Sequence, residues 1–176
     1  MKGKCRTFYN NSNRDIYAIG LQEIVKLNAK SIFQGKNRTR VKEWEQYLSL
    51  AISKVSEQHS KEIDERYIFV IAKSMVGCFI GLFVKSKLLG RIRDLKTTKI
   101  KTGLGGSAGN KGAVVLRFKL DDTSLLFMNC HLMSGKKKGS KRTDELNMIF
   151  ENAFKFEGKN RVNIKFNDKE LLHRET

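Results

Sequence analysis

Apolar positions along the chain change their spacing several times, and each spacing predicts a different element. Residues 15–21 form a nearly continuous apolar run, which is typical of a strand covered on both faces. Apolar residues at every third or fourth position predict an amphipathic helix over about 38–59. A second helix is predicted after Gly135, with Asp144 and Glu145 in its first turn. The apolar stripe of this second helix consists of Leu146, Ile149, Phe150, Ala153 and Phe154.

Five shorter apolar runs predict strands between and before these helices. They are residues 67–73, 78–84, 95–102, 113–120 and 124–131. The last two runs are separated by three polar residues, which indicates a hairpin. Residues 26–37 are expected to form a loop, and the chain from Glu157 onward is expected to be a polar tail. Adjacent strands with two flanking helices favour an α+β fold or a two-sheet sandwich with outer helices.

Composition limits the class of protein. The 176 residues are enough for one domain with its own core, and 40% of them are hydrophobic. No apolar run approaches the ~20 residues of a membrane span, and the first residues lack the apolar region of a signal peptide. Cys5, Cys78 and Cys130 do not have the spacing of metal ligands, which argues against a disulfide scaffold or a zinc site. We therefore expect a cytoplasmic protein with reduced thiols.

The formal net charge is +17, from 35 Lys and Arg against 18 Asp and Glu. A field of this size attracts polyanions such as nucleic acid, anionic lipid headgroups and highly phosphorylated small molecules. The alternative is a compositional bias, because the chain lacks Pro altogether. The charge therefore agrees with a phosphorylated ligand without establishing one.

The most informative segment is glycine-rich and covers residues 102–112, which contain five glycines and the sequence Asn110-Lys111-Gly112. Glycine lets the backbone approach a ligand closely, and backbone N–H groups with one ammonium can face a phosphate. The segment is not a P-loop, because Gly112 stands where that motif requires Ser or Thr. From these residues alone, a tight structural turn is an equal alternative.

Three ordered blocks, GLQEIV, TGLGGSAGNKGAVVLRF and FMNCHLMSG, together resemble the inositol polyphosphate 5-phosphatase family. The resemblance covers about residues 14–154 and implies a two-sheet sandwich flanked by helices, the fold shared with Mg-dependent endonucleases and exonucleases. It also implies Mg²⁺-dependent removal of the 5-phosphate from phosphoinositides or inositol polyphosphates. The whole chain, 1–176, is then interpreted as one partial domain of this type.

The resemblance assigns roles to four residues. Glu23, at the end of the first apolar run, corresponds to a Mg²⁺ ligand, and His131 corresponds to the histidine that stabilises charge on the scissile phosphate. Asn110 and Lys111 are candidates for substrate binding. Without the resemblance, Glu23 would be interpreted as a surface cap, His131 as an ordinary hydrogen-bonded side chain and Asn110 as a turn-stabilising residue.

Several blocks of the family are absent from the sequence. They are a T-W-N-x-N-G-like segment, G-D-x-N, W-C-D-R and a terminal D-H pair, which in the family help to place the metal and the attacking water. Hydrolysis of a phosphate monoester needs a metal, an oriented water and several donors around one phosphorus. We therefore expect the 176 residues alone to be an incomplete and inactive part of the domain.

Two other functions remain open at this stage. The first is a non-catalytic basic module that binds anionic phosphoinositide membranes, through the turn at Met75-Val76, the segment Leu132-Met133 and the run 136–138, for which a solvated loop is the alternative. It predicts a peripheral location at the cytoplasmic face of membranes. The second is a nuclease on the same fold, which the glycine-rich block does not resemble.

Overall fold

The computed structural model describes residues 14–25, 37–59, 63–103, 106 and 108–153. The expected loop at 26–37, apart from its last residue, and the whole expected tail from Glu157 onward lie outside these residues. The elements in chain order are β1 (Ile16–Leu21), α1 (Asn37–His59), β2 (Tyr67–Met75), β3 (Cys78–Lys85), β4 (Ile92–Gly103), β5 (Ala108–Leu120), β6 (Thr123–His131) and α2 (Gly139–Asn152). Two short 3₁₀ turns, Ile63–Glu65 and Ser86–Arg91, precede β2 and β4.

The described strands form two antiparallel three-stranded sheets, with orders β1-β3-β2 and β4-β5-β6. Side chains from one face of each sheet meet in a common core, as expected for a sandwich. Its fully buried residues include Leu82 and Val84 of β3 and Leu116 and Phe118 of β5. The predicted α+β sandwich is therefore confirmed.

Burial follows the position of each strand in its sheet. The central strand β3 is buried at every residue, because it has neighbours on both sides and material on both faces. The prediction that residues 15–21 form a fully covered strand was wrong. β1 lies at the edge of its sheet within the described chain, its residues are half-buried, and Gly20 is exposed. A continuous apolar run cannot by itself distinguish a central from an edge strand.

The helices cover outer faces of the sandwich. α1 contacts β2 and buries Ile52 and Ser56, in agreement with the predicted helix over 38–59. α2 packs with Ile149 against the outer face of the second sheet. Two details predicted for α2 were wrong: Phe150 is 64% exposed, and Glu145 is buried in the middle of the helix, not in its first turn. The helix begins already at Gly139, which changes the position of both acidic residues.

The glycine-rich segment forms the tip of a hairpin, where the N–H of Gly106 donates to the carbonyl of Gly103 at 3.1 Å, so the tight turn that the sequence offered is present between two strands. β4 continues to Gly103, β5 begins at Ala108, and these two residues are paired across the hairpin. Gly112 has φ +135°, and a Cβ atom there would lie 1.9 Å from the carbonyl oxygen of Ile100. Only glycine fits this position, because the neighbouring strand occupies the space of any side chain.

Candidate active site

Glu23 lies two residues after the end of β1, in a left-handed backbone conformation with φ +56°. This conformation is uncommon for a residue with a Cβ atom and is held by neighbouring contacts. The next residue, Ile24, is buried, and its N–H donates to the carbonyl of Gly77 at 3.2 Å. The side chain of Glu23 is 71% exposed, so its carboxylate is accessible to a solvent-borne cation.

His131 is the last residue of β6 and is paired with Gly112 of β5. The residue is only 7% exposed, and its Nε2 atom lies 3.1 Å from Nζ of Lys111. A lysine ammonium can only donate, so Nε2 is the acceptor and the proton of the neutral imidazole is on Nδ1. Nδ1 is buried, and the main chain of Asn110 acts on the ring as a hydrogen-bond partner that raises its pKa.

Charges on both sides act on the imidazole. Burial lowers the pKa of His131, the ammonium of Lys111 lowers it further, and the carboxylate of Glu23 opposes these effects. The distance from Nε2 of His131 to the nearer carboxylate oxygen of Glu23 is 3.6 Å. The three predicted residues thus meet at one place, with a neutral imidazole between a cation and an anion.

Asn110 belongs to the same hairpin but takes a different position. Its side-chain oxygen is buried without a hydrogen-bond partner among the described residues. This oxygen lies over Gly103, where a Cβ atom would be only 2.4 Å away. The oxygen makes no hydrogen bond that would stabilise a turn, so the structure does not support the turn-stabilising alternative, and the role of Asn110 in binding substrate stays a prediction.

Sequence reasoning missed two polar residues that connect the segments around the site. One is Asn129, two residues before His131, to which Gln22 donates at 3.3 Å while also donating to the carbonyl of Cys130 at 2.8 Å. The other is Glu145 of α2. The sequence did contain a signal for Asn129, because a polar residue on one face of an otherwise apolar strand requires hydrogen-bond partners.

The buried carboxylate of Glu145 joins the two segments that flank the site. It accepts a hydrogen bond from the hydroxyl of Thr102 at 2.9 Å and one from the N–H of Met133 at 2.7 Å. Arg142, one turn earlier in α2, donates to the carbonyls of Met133 and Gly135. α2 therefore fixes both the end of β4 and the segment that follows His131.

The donor set suits a hard cation better than a transition metal. The described residues contain no group of three or more His, Cys, Asp or Glu side chains placed to hold a metal ion. Mg²⁺ does not need such a group, because it usually keeps several waters and takes one or two carboxylates together with phosphate oxygens. The exposed carboxylate of Glu23 beside His131 fits that pattern.

The surfaces expected to contact a membrane are only partly available. Met75 is 5% exposed and belongs to the core between the sheets, so the expectation for this residue was wrong. Leu132 and Met133 are half-buried, whereas the run 136–138 is exposed. Neither described helix is apolar enough over sufficient length to cross a bilayer.

The family model "Endonuclease/Exonuclease/phosphatase family 2" matches residues 3–173. A probable inositol polyphosphate 5-phosphatase of Schizosaccharomyces pombe is 37% identical over 157 residues, and the match covers 84% of this chain and 13% of the relative. Human synaptojanin-2 is 35% identical over 140 residues, which cover 80% of this chain and 9% of the relative.

A solved structure is also similar. It is the inositol polyphosphate 5-phosphatase domain of a synaptojanin in complex with inositol (1,4)-bisphosphate and a calcium ion. The TM-score is 0.63 at 31% sequence identity, and the match covers 77% of this chain and 36% of that chain. The chain therefore spans a minor part of the length of each of these relatives.

Proposed function

Because the chain belongs to the Endonuclease/Exonuclease/phosphatase family 2, with inositol polyphosphate 5-phosphatases and synaptojanins among its relatives, we propose that it serves Mg²⁺-dependent 5-phosphate hydrolysis. The substrate is a phosphoinositide or a soluble inositol polyphosphate. The observation that carries the proposal is the meeting of Glu23, Lys111 and His131 at the ends of strands from both sheets. A carboxylate, a cation and an imidazole that meet at one place are groups that phosphate binding and phosphoryl transfer require.

Each residue has a distinct task in this proposal. The carboxylate of Glu23 holds the divalent cation, which when bound supplies positive charge for the phosphate oxygens. Lys111 gives the phosphate a second positive charge. His131 is neutral, because burial and Lys111 lower its pKa. Its Nε2 atom accepts a hydrogen bond from Lys111, so in this geometry it holds the ammonium that stabilises the phosphate oxygens and adds no charge of its own.

The 176 residues supply a part of the complete machinery. They lack the G-D-x-N, W-C-D-R and D-H blocks, and they cover 36% of the similar solved chain. None of the four predicted site residues orients an attacking water by itself. We therefore expect the 176-residue protein alone to bind the metal and a phosphorylated inositol while releasing phosphate at a rate far below that of a complete domain.

Calorimetric binding of inositol 1,4,5-trisphosphate, with and without Mg²⁺, tests the proposal. The wild type should bind more tightly with the metal, Glu23→Gln should lose the metal-dependent part, and Lys111→Met should weaken binding under both conditions. Lys119→Met is the matched control, because it removes the same charge from the far end of the same strand. Equal binding by all four proteins, or binding indifferent to Mg²⁺ throughout, would contradict the assignment.

A non-catalytic module for anionic phosphoinositide membranes is the second candidate, and one pair of lysines favours it. Burial lowers the pKa of Lys73, and the nearby ammonium of Lys99 lowers it further. Lys73 belongs to β2 of the first sheet and Lys99 to β4 of the second. Two neighbouring cations gain free energy from a bound polyanion.

Liposomes that contain phosphatidylinositol bisphosphate distinguish the two candidates. The membrane module predicts salt-sensitive binding that Glu23→Gln leaves intact and that the double variant Lys73→Met/Lys99→Met weakens. The matched control is Lys42→Met/Lys54→Met, which removes two charges from α1. Binding that requires both Mg²⁺ and Glu23 would instead favour the phosphatase. We place either activity in the cytoplasm, in line with the free thiols of Cys78 and Cys130.

A further inference from the structure

The side-chain amide of Asn129 connects the two sheets beside the candidate site. Its Nδ2 group donates to the carbonyl of Leu21 and to the carbonyl of Phe79, each at 2.8 Å. These two donations use both of its hydrogens. Asn129 belongs to β6, whereas its two acceptors belong to β1 and β3 of the other sheet. The amide therefore crosses the sandwich near the point where β1 ends.

The oxygen of the same amide is bound from the segment that follows β1. Gln22 donates from Nε2 to Oδ1 of Asn129 at 3.3 Å and to the carbonyl of Cys130 at 2.8 Å. The thiol of Cys78 contacts the main-chain oxygen of Asn129 at 3.4 Å. Both polar atoms of the Asn129 side chain thus have partners, and two of these partners, Leu21 and Gln22, lie within two residues of Glu23.

The sequence leaves space for this amide at Gly20. A Cβ atom on Gly20 would lie 3.1–3.3 Å from three atoms of the Asn129 side chain, and these are its three nearest neighbours. Real Cβ contacts are rarely this short. The approach of β1 to the amide therefore depends on the missing side chain at Gly20.

Glu23 needs such support. It lies beyond the last paired residue of β1, its φ of +56° is unfavourable for a non-glycine residue, and its side chain is largely exposed. Nothing in its own side chain fixes the backbone of residues 22 and 23. The fixed points are the bond from Ile24 to Gly77 on one side and the amide network on the other.

We propose that Asn129 is the positioning residue of this site: its amide holds residues 21–23 against β6 and thereby keeps the Glu23 carboxylate beside His131. The inference rests on the proposed function, because it treats that carboxylate as the metal ligand. Groups behind a metal ligand typically change metal affinity by about 10–100-fold when they are removed.

The test uses the 176-residue protein and two independent readouts. The first is hydrogen exchange of the Ile24 amide, which reports whether the turn at Glu23 is held and involves no metal. The second is the affinity for Mn²⁺, measured by calorimetry and by paramagnetic broadening of signals from residues 21–24. Asn129→Ala should accelerate the exchange of Ile24 and weaken Mn²⁺ binding by about 10-fold.

The matched control is Asn152→Ala. It also removes an amide that donates to a carbonyl, in this case to Met148 at 2.7 Å, but it does so near the end of α2. It should leave both readouts at their wild-type values. In the Glu23→Gln background, Asn129→Ala should cause no additional loss of Mn²⁺ affinity, because the ligand that the amide positions is already gone.

A second variant keeps the proposal testable if Asn129→Ala does not fold. Gly20→Ala retains the amide but displaces it by a few tenths of an ångström, so it should change both readouts in the same direction. Gly90→Ala is its control, because a Cβ atom at Gly90 meets nothing within 4 Å. Where both single variants fold, the double variant Gly20→Ala/Asn129→Ala should lose less Mn²⁺ affinity than the sum of the losses in the two single variants.

Failure of this inference and failure of the proposed function give different results. If the wild type binds no Mn²⁺ but Asn129→Ala accelerates Ile24 exchange, the metal function is wrong and the positioning role stands. If the wild type binds Mn²⁺ through Glu23 and neither Asn129→Ala nor Gly20→Ala changes either readout, the positioning role is wrong. An equal loss for Asn152→Ala would also overturn it.

Discussion

The ammonium of Lys111 lies 3.1 Å from the Nε2 atom of His131, although both groups would be cations if the imidazole were protonated. The pair is compatible only with a neutral imidazole that accepts a hydrogen bond. Burial of His131 acts in the same direction, since it disfavours the charged ring. This relationship determines how the site should respond to pH.

Replacement of Lys111 by Met should raise the pKa of His131, because the nearest cation is removed while burial stays. Replacement of Glu23 by Gln should lower it further, because the carboxylate is the opposing charge. NMR titration of the imidazole in the presence of a chelator measures both shifts. Lys119→Met, on the same strand, should leave the titration unchanged, and an unchanged pKa in Lys111→Met would show that the contact is not made in solution.

Replacement of Gly112 by Ala should destabilise the protein by about 3 kcal/mol, because the new Cβ atom would require β4 and β5 to separate. Urea unfolding followed by circular dichroism measures the loss. Gly139→Ala is the control, since a Cβ atom there meets nothing within 4 Å. A loss below about 1 kcal/mol would mean that the hairpin has a different register.

Replacement of Glu145 by Ala should lower the free energy of unfolding by about 2 kcal/mol, because the N–H of Met133 and the hydroxyl of Thr102 lose their acceptor. Asp144→Ala, an exposed neighbour on α2, should stay within about 0.5 kcal/mol of the wild type. Chemical denaturation gives the free energies of unfolding of the two variants and the wild type, from the midpoints of curves fitted with a common slope. Equal effects of the two substitutions would place Glu145 in solvent.

Lys85 should stabilise the opposite end of the first sheet. Its side chain is 2% exposed, and its ammonium lies 3.1 Å from a carboxylate oxygen of Asp15 and 2.5 Å from one of Glu65. Burial alone would lower its pKa, but the hydrogen bonds and charges of Glu65 and Asp15 outweigh burial and raise it. A raised lysine pKa stabilises the fold at neutral pH, and this contribution is lost as the pH rises through the folded-state value.

Lys85→Met should therefore lower the free energy of unfolding by about 2 kcal/mol at neutral pH. This loss is smaller than for a fully buried ion pair, because Asp15 is largely exposed. The cost should shrink at strongly alkaline pH, where the wild type loses its own ammonium charge. Lys87→Met removes the more exposed cation beside Glu65 and should cost less than about 1 kcal/mol. Thermal unfolding across a pH series measures both, and a cost independent of pH would show that the charge of Lys85 is unimportant.

The sequence predicted the elements well because periodicity reports burial directly. Both helices and all six described strands follow from apolar runs and their spacing, and the hairpin follows from the polar residues between two runs. The same spacing could not place β1 at an edge, because an apolar residue is equally apolar in either position. It also placed Glu145 on the wrong turn of α2, since a buried carboxylate and an exposed one look alike in a sequence.

The candidate site was predicted only as separate residues. Glu23, Lys111 and His131 are far apart along the chain, and their contact depends on how the two sheets pack. Asn110 and Lys111 were expected in a loop because glycine usually indicates one, whereas here the glycines let two strands approach closely. The links through Asn129 and Glu145 depend on side chains from different elements, which no local pattern can indicate.

Glu23 follows a strand of one sheet, and His131 ends a strand of the other. The distance between them is therefore a property of the whole sandwich, set by the thickness of its core. A core substitution that the fold tolerates can still move the two groups apart, so selection for activity would act on residues that never meet a ligand. In a saturation screen, positions such as Leu82 and Leu116 should tolerate fewer replacements under selection for function than under selection for solubility.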